Sequence, residues 1–368
     1  MRKHYLDNIR SFAIAAVLVF HVFYLFNATG DVTNLKPGLG YLPLDVVEYA
    51  IYPWIMPLLF LVAGISARYS LSRRTNGQFL KERCVKLLVP FSAGALILGW
   101  INGWITDLSM NVFVFVAHIH DPLVRGVVYY LCYIMNVGVL WFLLELFAAS
   151  LILVLLRVID RGDRIWAWAG RVVSGRWGLA VLVGLVLPVW GSSMILNTPY
   201  VVAFRNGIYW FTFLLGYYFF SHEEALAKLK ATSKYTSAAA LIFCVATVIV
   251  FYGQQYTVPS FLESALVNAY LWAVILCLLG WAQTHMDGTG RAWTWLRNYS
   301  FEVYILHYPI MLLTAYPLVT YGPWPMWVNY VALPLIAFPL TALASVLLKK
   351  VPVLRFLLFG VRKRPAAA

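Results

Sequence analysis

Charged side chains are scarce in this sequence, and that scarcity defines its class. Only 12% of the 368 residues are Asp, Glu, Lys or Arg, whereas 62% are hydrophobic, and the mean hydropathy is +0.77. The charged stretches are too short to fold as a separate soluble domain. We therefore predict one membrane domain over residues 1–368, with an all-α, polytopic fold.

Cysteines and acidic residues are also few. The four cysteines show no paired spacing, which argues against a disulfide framework. Because 15 acidic residues face 28 Lys and Arg, the net charge is +13. We interpret this excess as a sign of topology and of contact with membrane lipid, not with nucleic acid. His118, His120 and Asp121 are interpreted as a solvated loop, so no metal site is predicted.

Apolar runs of membrane-spanning length fill most of the chain. About ten spans are predicted, at residues 10–26, 46–67, 87–105, 137–156, 179–196, 204–220, 235–252, 261–283, 299–320 and 326–348. Their alternate connections hold 25 of the 28 Lys and Arg residues, which predicts cytoplasmic termini and a multi-pass protein of the inner or plasma membrane. Two shorter apolar pieces, at 110–117 and 124–135, predict interfacial helices or a cap over a cleft.

The first span carries an arginine and a histidine whose spacing places them on one helix face. His21 follows Arg10 by eleven positions, which corresponds to about three helical turns and a rise of about 16 Å. Both side chains therefore share one helix face, with Arg10 near the membrane surface and His21 near mid-depth. Because an ionisable group at that depth costs roughly 2.5 kcal/mol or more, His21 is a functional candidate.

Other ionisable residues are predicted at a similar depth. Glu145, in the fourth span, could fix the His21 tautomer, or it could pair with a buried polar group for packing alone. Ser300, Tyr304 and His307 form one helical stripe in the ninth span. His307 could act as a second base or as a structural histidine bonded between helices.

Two groups of polar residues near the membrane surfaces have both a functional and a neutral interpretation. Arg83 and Lys86, three residues apart, are predicted to face the same way and bind phosphate, although juxtamembrane cations also set topology. At the outer ends of spans, another group could bind sugar hydroxyls or only mark the interface: Asp45, Glu48, Arg205, Asn206, Glu263 and Asn268.

Several motifs together resemble the acyltransferase-3 family of membrane acyltransferases. They are the Arg10 to His21 arrangement after YLDNIR (5–10), MPLLFLVAG (56–64), the basic entry to the third span, LWFL (140–143) and SFEVYILHYP (300–309). The tryptophan in LWFL and the ending PVLRFLLFG (352–360) look more like the branch related to periplasmic-glucan succinyltransferases. Two positions depart from the family pattern: Lys86 replaces the second of two paired arginines, and Glu302 stands where a small or hydroxyl residue is common.

The resemblance implies an acyltransferase that moves a non-aminoacyl group, of the acetyl or succinyl class. Its donor would be cytoplasmic acyl-CoA, a substrate and not a permanently bound cofactor, and its acceptor a hydroxyl of an extracytoplasmic glycan. His21 is expected to be the general base or a transient acyl acceptor, and Glu145 to orient it. The remaining residues expected at the site are Arg10, Arg83 and Lys86 for the CoA phosphates, and Trp141, Ser300, Tyr304 and His307 for the acyl or thioester end.

Two other functions remain as alternatives. In a proton-coupled transporter or exporter of a polar metabolite, His21 and Glu145 would relay protons, but no paired repeat with broken helices is apparent. A regulatory pseudoenzyme is disfavoured by the intact Arg10 and His21. The sequence leaves open whether the protein forms a homodimer.

Overall fold

The computed structural model describes residues 4–29, 35–36, 38–197 and 205–362, and this part of the chain is helical without strands. The chain divides into two compact units. Unit 1 comprises Met1–Val17, Glu48–Arg83 and Glu145–Asn298, and unit 2 comprises Leu18–Val47, Cys84–Leu144 and Tyr299–Ala368. The single membrane domain stays a prediction.

The α-helices are numbered in chain order. The first nine are α1 His4–Leu25, α2 Val46–Leu71, α3 Asn76–Arg83, α4 Val89–Gly94, α5 Trp100–Met110, α6 Pro122–Ile134, α7 Trp141–Ile159, α8 Arg164–Ser174 and α9 Gly178–Gly184. The others are α10 Val186–Ser193, α11 Asn206–Tyr218, α12 Glu223–Ala231, α13 Ser233–Phe251, α14 Pro259–Leu262, α15 Ala265–His285, α16 Arg291–Tyr321, α17 Met326–Lys350 and α18 Pro352–Phe359.

Long apolar helices confirm the polytopic membrane architecture. In the described chain, eight helices are long and apolar enough to cross a membrane, or nine if Arg164–Ser174 and Gly178–Ser193, bent by 114°, form one broken span. These eight coincide with eight predicted spans. The fifth predicted span falls on α9 and α10, and the sixth, 204–220, on the 13-residue α11, with Phe204 outside the described residues. The orientation stays a prediction.

Glycines set the packing of α2 against α11 within unit 1. A Cβ atom on Gly64 would lie 1.9 Å from the Phe213 carbonyl oxygen, and one on Gly216 would lie 2.0 Å from that of Leu61. Only glycine therefore permits this approach of the two backbones. Close packing through small residues is a common source of helix association in membranes, where lipid is as apolar as the helix surface.

The third predicted span is not a uniform α-helix. Cys84–Leu88 and Ala95–Gly99 are π-helical, between α3 and α4 and between α4 and α5. The wider turn begins directly after Arg83, so α-helical spacing gives no basis for placing Arg83 and Lys86 on one face. Arg83 is half-buried, whereas Lys86 is exposed. The α-helical spacing assumed for these two residues was wrong, because propensity does not reveal where a helix widens.

The two short apolar pieces of unit 2 are helical in part, and their place at the membrane interface or over a cleft stays a prediction. Val114–His118 is a 3-10 helix, and Pro122–Ile134 is α6. The Asp121 carboxylate accepts hydrogen bonds from the backbone N–H groups of Leu123 and Val124, at 2.8 and 3.0 Å. Asp121 is therefore the N-cap of α6.

An ion pair within unit 2 accounts for the unusual Glu302. Glu302 Oε1 lies 2.6 Å from Lys349 Nζ, and the two side chains are only 4% and 15% exposed. The same ammonium group lies 4.6 Å from the centre of the Tyr299 ring. The charge at position 302 is thus matched by α17, which sequence spacing could not indicate.

Glu302→Ala is expected to lower the midpoint of thermal unfolding. The change removes the carboxylate but leaves a largely buried ammonium, a loss of about 3–5 kcal/mol. A matched double variant, Glu302→Leu with Lys349→Met, should recover most of that stability, because it removes both charges together. Thermal unfolding of the purified protein in detergent measures the effect; a wild-type midpoint in Glu302→Ala would show that the pair contributes nothing.

Candidate functional site

Two histidines that lie far apart in the sequence meet in unit 2. His21 Nδ1, on α1, lies 3.3 Å from His307 Nε2, on α16, and the ring centres are 5.0 Å apart. His307 is fully buried, whereas His21 is half-buried. Sequence depth alone predicted similar levels for the two rings, and the structure joins them by a hydrogen bond.

The backbone around His307 fixes which ring nitrogens carry protons. His307 Nδ1 lies 2.7 Å from the Tyr304 carbonyl oxygen and 3.2 Å from that of Val303. Because carbonyl oxygens only accept, His307 must donate from Nδ1, and its neutral ring then has a lone pair on Nε2. His21 accordingly donates from Nδ1 to His307, which leaves a lone pair on His21 Nε2. This tautomer is the one that a general base requires.

Aromatic rings surround the His21 imidazole. Its ring centre lies 5.2 Å from that of Phe20, 5.6 Å from that of Tyr24 and 5.0 Å from that of Tyr308. Tyr24 and Tyr308 also face each other, with their ring centres 6.4 Å apart. This packing limits the rotation of the imidazole, and the two tyrosines bring hydroxyl groups into the same region.

The backbone of Gly138 packs closely against the Tyr308 ring. Gly138 has a positive φ of 51°, and a Cβ atom there would lie 2.6 Å from Asn102 Nδ2 and 2.9 Å from Tyr308 Cδ1. Both the left-handed backbone and the close contact favour glycine. The turn before α7 therefore packs directly against Tyr308, whose ring in turn contacts His21.

Gly138→Ala should therefore reduce both stability and the activity of the site. The left-handed conformation alone costs about 1–2 kcal/mol for a residue with a Cβ atom, and the clash would displace Tyr308. Gly184→Ala is a matched control, since a Cβ atom at Gly184 meets nothing within 4 Å. Thermal unfolding and turnover of the two variants test this; equal values for both would contradict it.

The remaining predicted lining residues of unit 2 lie around the same helix. The Tyr304 hydroxyl donates to the Val139 carbonyl oxygen at 2.6 Å, and the Tyr304 ring centre lies 5.8 Å from that of His307. Ser300 is buried on the same helix, one turn before Tyr304. Trp141 packs with its neighbour Phe142, whose ring contacts Tyr304. Tyr304 thus joins the start of α7 to α16 beside the histidine pair.

Cations gather within unit 1. Arg10 and Arg74 both repel the half-buried Arg83 guanidinium electrostatically, while Glu82 attracts it. Arg10 also pairs with Asp7 at 3.3 Å, and Arg74 pairs with Glu82. The structure thus brings together two of the three predicted phosphate-binding cations. Lys86, the third, belongs to unit 2.

Hydrogen bonds in unit 1 fix the beginning of α1. Asn8 is buried and donates from Nδ2 to the Gly288 carbonyl oxygen at 3.0 Å, while its Oδ1 accepts from Arg297 at 2.9 Å. The Tyr5 backbone N–H donates to Asp287 Oδ1 at 3.0 Å. These bonds hold the first turns of the helix that carries Arg10, so Asn8 is a positioning residue for that arginine.

Glu145 has a partner in unit 1. The Trp210 indole N–H on α11 donates to Glu145 Oε2 at 2.8 Å, and the Glu145 side chain is buried. Since Glu145 belongs to unit 1 and His21 to unit 2, its contact with His21 stays a prediction. The tautomer of His21 is already accounted for by His307.

Sequence reasoning did not identify Tyr24, Asn8 or Trp210 as site residues. Tyr24 carried a signal, because a residue three positions after His21 lies on the same helix face. Asn8 lay in the quoted motif 5–10, but its partners at 286–297 cannot be inferred from spacing. The partner of Glu145 is likewise set by tertiary contact alone.

The fold and the histidine pair define a multi-pass α-helical membrane protein with a buried ionisable site. The family model described as an acyltransferase domain, acyltransferase-3, matches residues 3–350, so the chain belongs to this family of membrane acyltransferases. Comparisons with curated proteins and with solved structures each give no match.

Proposed function

We propose that the protein transfers an acetyl- or succinyl-class acyl group from cytoplasmic acyl-CoA to a hydroxyl of an extracytoplasmic glycan. The observation that carries this proposal is the hydrogen bond between His21 and His307, which leaves His21 Nε2 as an unprotonated base. A half-buried neutral imidazole is suited to remove a hydroxyl proton at ordinary pH. Family membership supplies the reaction class.

In the proposed reaction, His21 Nε2 takes the proton of the acceptor hydroxyl while that oxygen attacks the thioester carbonyl carbon. The new carbon–oxygen bond forms, and the carbon–sulfur bond then breaks. The departing sulfur takes the proton back from His21, which gives the ester and free CoA and restores the imidazole. His307 stabilises the transient imidazolium through its Nε2 lone pair, a positioning role like that of the carboxylate in a catalytic triad.

The cations of unit 1 are proposed to hold the nucleotide end of the donor. Arg10 is 44% exposed, and its ion pair with Asp7 joins neighbouring turns of one helix, which costs little to exchange for a phosphate. Arg83 lies within the electrostatic influence of Arg10. Guanidinium groups bind phosphate bidentately, so a polyanion would relieve their mutual repulsion. Lys86 is proposed as a third, monodentate contact.

Acyl transfer by the purified full chain in lipid nanodiscs tests the proposal. Acetyl-CoA or succinyl-CoA is incubated with and without a glucan fraction, free CoA is followed by chromatography, and the glucan by mass spectrometry. The expected result is glucan-dependent release of CoA and a glucan heavier by one or more acyl groups. Movement of a polar metabolite across vesicles, with acyl-CoA unconsumed, would instead support the transporter alternative.

A further inference from the structure

Unit 1 contains a second buried polar group of residues, at the start of α11. Arg205 directly precedes this helix and is 1% exposed. Its Nη2 donates to the Leu262 carbonyl oxygen at 3.3 Å and to Asn268 Oδ1 at 3.2 Å. Among the described residues, no carboxylate lies within 4.0 Å of this guanidinium. We call the group formed by Asn197, Arg205, Asn206, Glu263 and Asn268 the α11 polar cluster.

Among the described residues, three buried atoms of the α11 polar cluster have no hydrogen-bond partner. They are one donor, Arg205 Nε, and two acceptors, Asn206 Oδ1 and Asn197 Oδ1. Buried polar atoms are nearly always paired, since an unpaired one costs about 1–3 kcal/mol. One unpaired donor and two unpaired acceptors in this cluster are suited to a ligand that both donates and accepts.

Three residues of the α11 polar cluster are buried, and the other two are more accessible. Arg205, Asn206 and Asn268 are buried, whereas Asn197 and Glu263 are half-buried. Asn197 Nδ2 donates to Glu263 Oε1 at 3.1 Å, and Trp190 Nε1 donates to the Glu263 carbonyl oxygen at 2.8 Å. The Asn206 backbone N–H donates to the Leu196 carbonyl oxygen at 3.2 Å. This bond connects buried Asn206 to the residue that directly precedes Asn197.

We propose that the α11 polar cluster is a subsite for the hydroxyl groups of a neutral carbohydrate, which serves as the acyl acceptor. A sugar hydroxyl donates one hydrogen bond and accepts others, so it satisfies both kinds of unpaired atom. An inorganic anion would satisfy only Arg205, and it would be repelled by the two amide oxygens and by Glu263. The assignment of this carbohydrate as the acyl acceptor rests on the proposed function and on the predicted position of Arg205, Asn206 and Asn268 at the outer ends of spans.

Binding of neutral hexasaccharides of glucose, galactose and mannose tests this subsite, with sulfate as the anion probe. The full chain in nanodiscs is titrated without an acyl donor, so sugar binding is measurable whether or not acyl transfer occurs. At least one hexasaccharide should bind and raise the midpoint of thermal unfolding. Asn206→Leu and Asn197→Leu should each weaken that binding about tenfold, because each removes one acceptor.

Asn206→Leu should keep the unfolding midpoint of the free protein, because the side-chain oxygen that it removes has no hydrogen-bond partner among the described residues. Asn329→Leu is the matched control: its buried amide oxygen accepts from Trp324 Nε1 in unit 2, and sugar affinity should not change. Equal weakening by Asn206→Leu and Asn329→Leu would overturn the subsite. Binding of sulfate but of no hexasaccharide would also overturn it. Sugar binding without acyl transfer would refute the proposed function while leaving the subsite intact.

Discussion

His21→Ala should abolish acyl transfer while leaving expression and acyl-CoA binding intact. The variant lacks the only atom proposed to take the hydroxyl proton, His21 Nε2, and general-base catalysis contributes about 10²–10⁴-fold to a rate. Donor binding should persist because the proposed phosphate contacts, Arg10 and Arg83, remain. Product is measured by mass spectrometry of the glucan, and donor binding by titration with a non-hydrolysable acyl-CoA analogue.

His118→Ala is the matched control for His21→Ala. His118 is an exposed histidine at the end of a short helix in unit 2, so its loss should change neither transfer nor binding. Near-normal product formation by His21→Ala would reject the base, and the transporter alternative would then gain support. Loss of donor binding in that variant would mean that His21 serves the site as a structural residue.

His307→Ala should lower kcat about 100-fold or more and leave the KM for acyl-CoA nearly unchanged. In the proposed reaction His307 acts through His21: its Nε2 accepts a hydrogen bond from His21 Nδ1–H, which leaves the lone pair on His21 Nε2. Without it, the His21 tautomer is no longer fixed, and the transient imidazolium loses its partner. Turnover at saturating donor and acceptor measures the effect.

A conservative variant separates this positioning role from a packing role. In His307→Gln, the side-chain carbonyl oxygen can accept the His21 proton, so part of the activity should return relative to His307→Ala. His307→Phe fills the space without an acceptor and should stay as inactive as the alanine variant. If phenylalanine restored activity as well as glutamine does, His307 would be a packing residue and the tautomer argument would fail.

The sequence indicated the membrane class and most of the helices because both depend on local patterns. Apolar run lengths predicted eight of the ten spans where long helices occur, and helical spacing placed Ser300, Tyr304 and His307 on one face. The same reasoning was wrong at Arg83 and Lys86, because a π-helical turn follows Arg83. Hydropathy does not distinguish the two kinds of turn, since both keep apolar residues in the span.

What the sequence alone determined is therefore the chemistry available: a histidine in the first apolar run, an arginine eleven residues before it and a second histidine in another apolar run. Only the tertiary structure decided which groups meet. His21 and His307 are separated by 286 positions, and Tyr304 contacts Val139 across 165. Periodicity reports the face of one helix, whereas the pairing of two helices depends on packing summed over many distant side chains. The proton positions on the histidines follow from that pairing and from the carbonyl groups at 303 and 304.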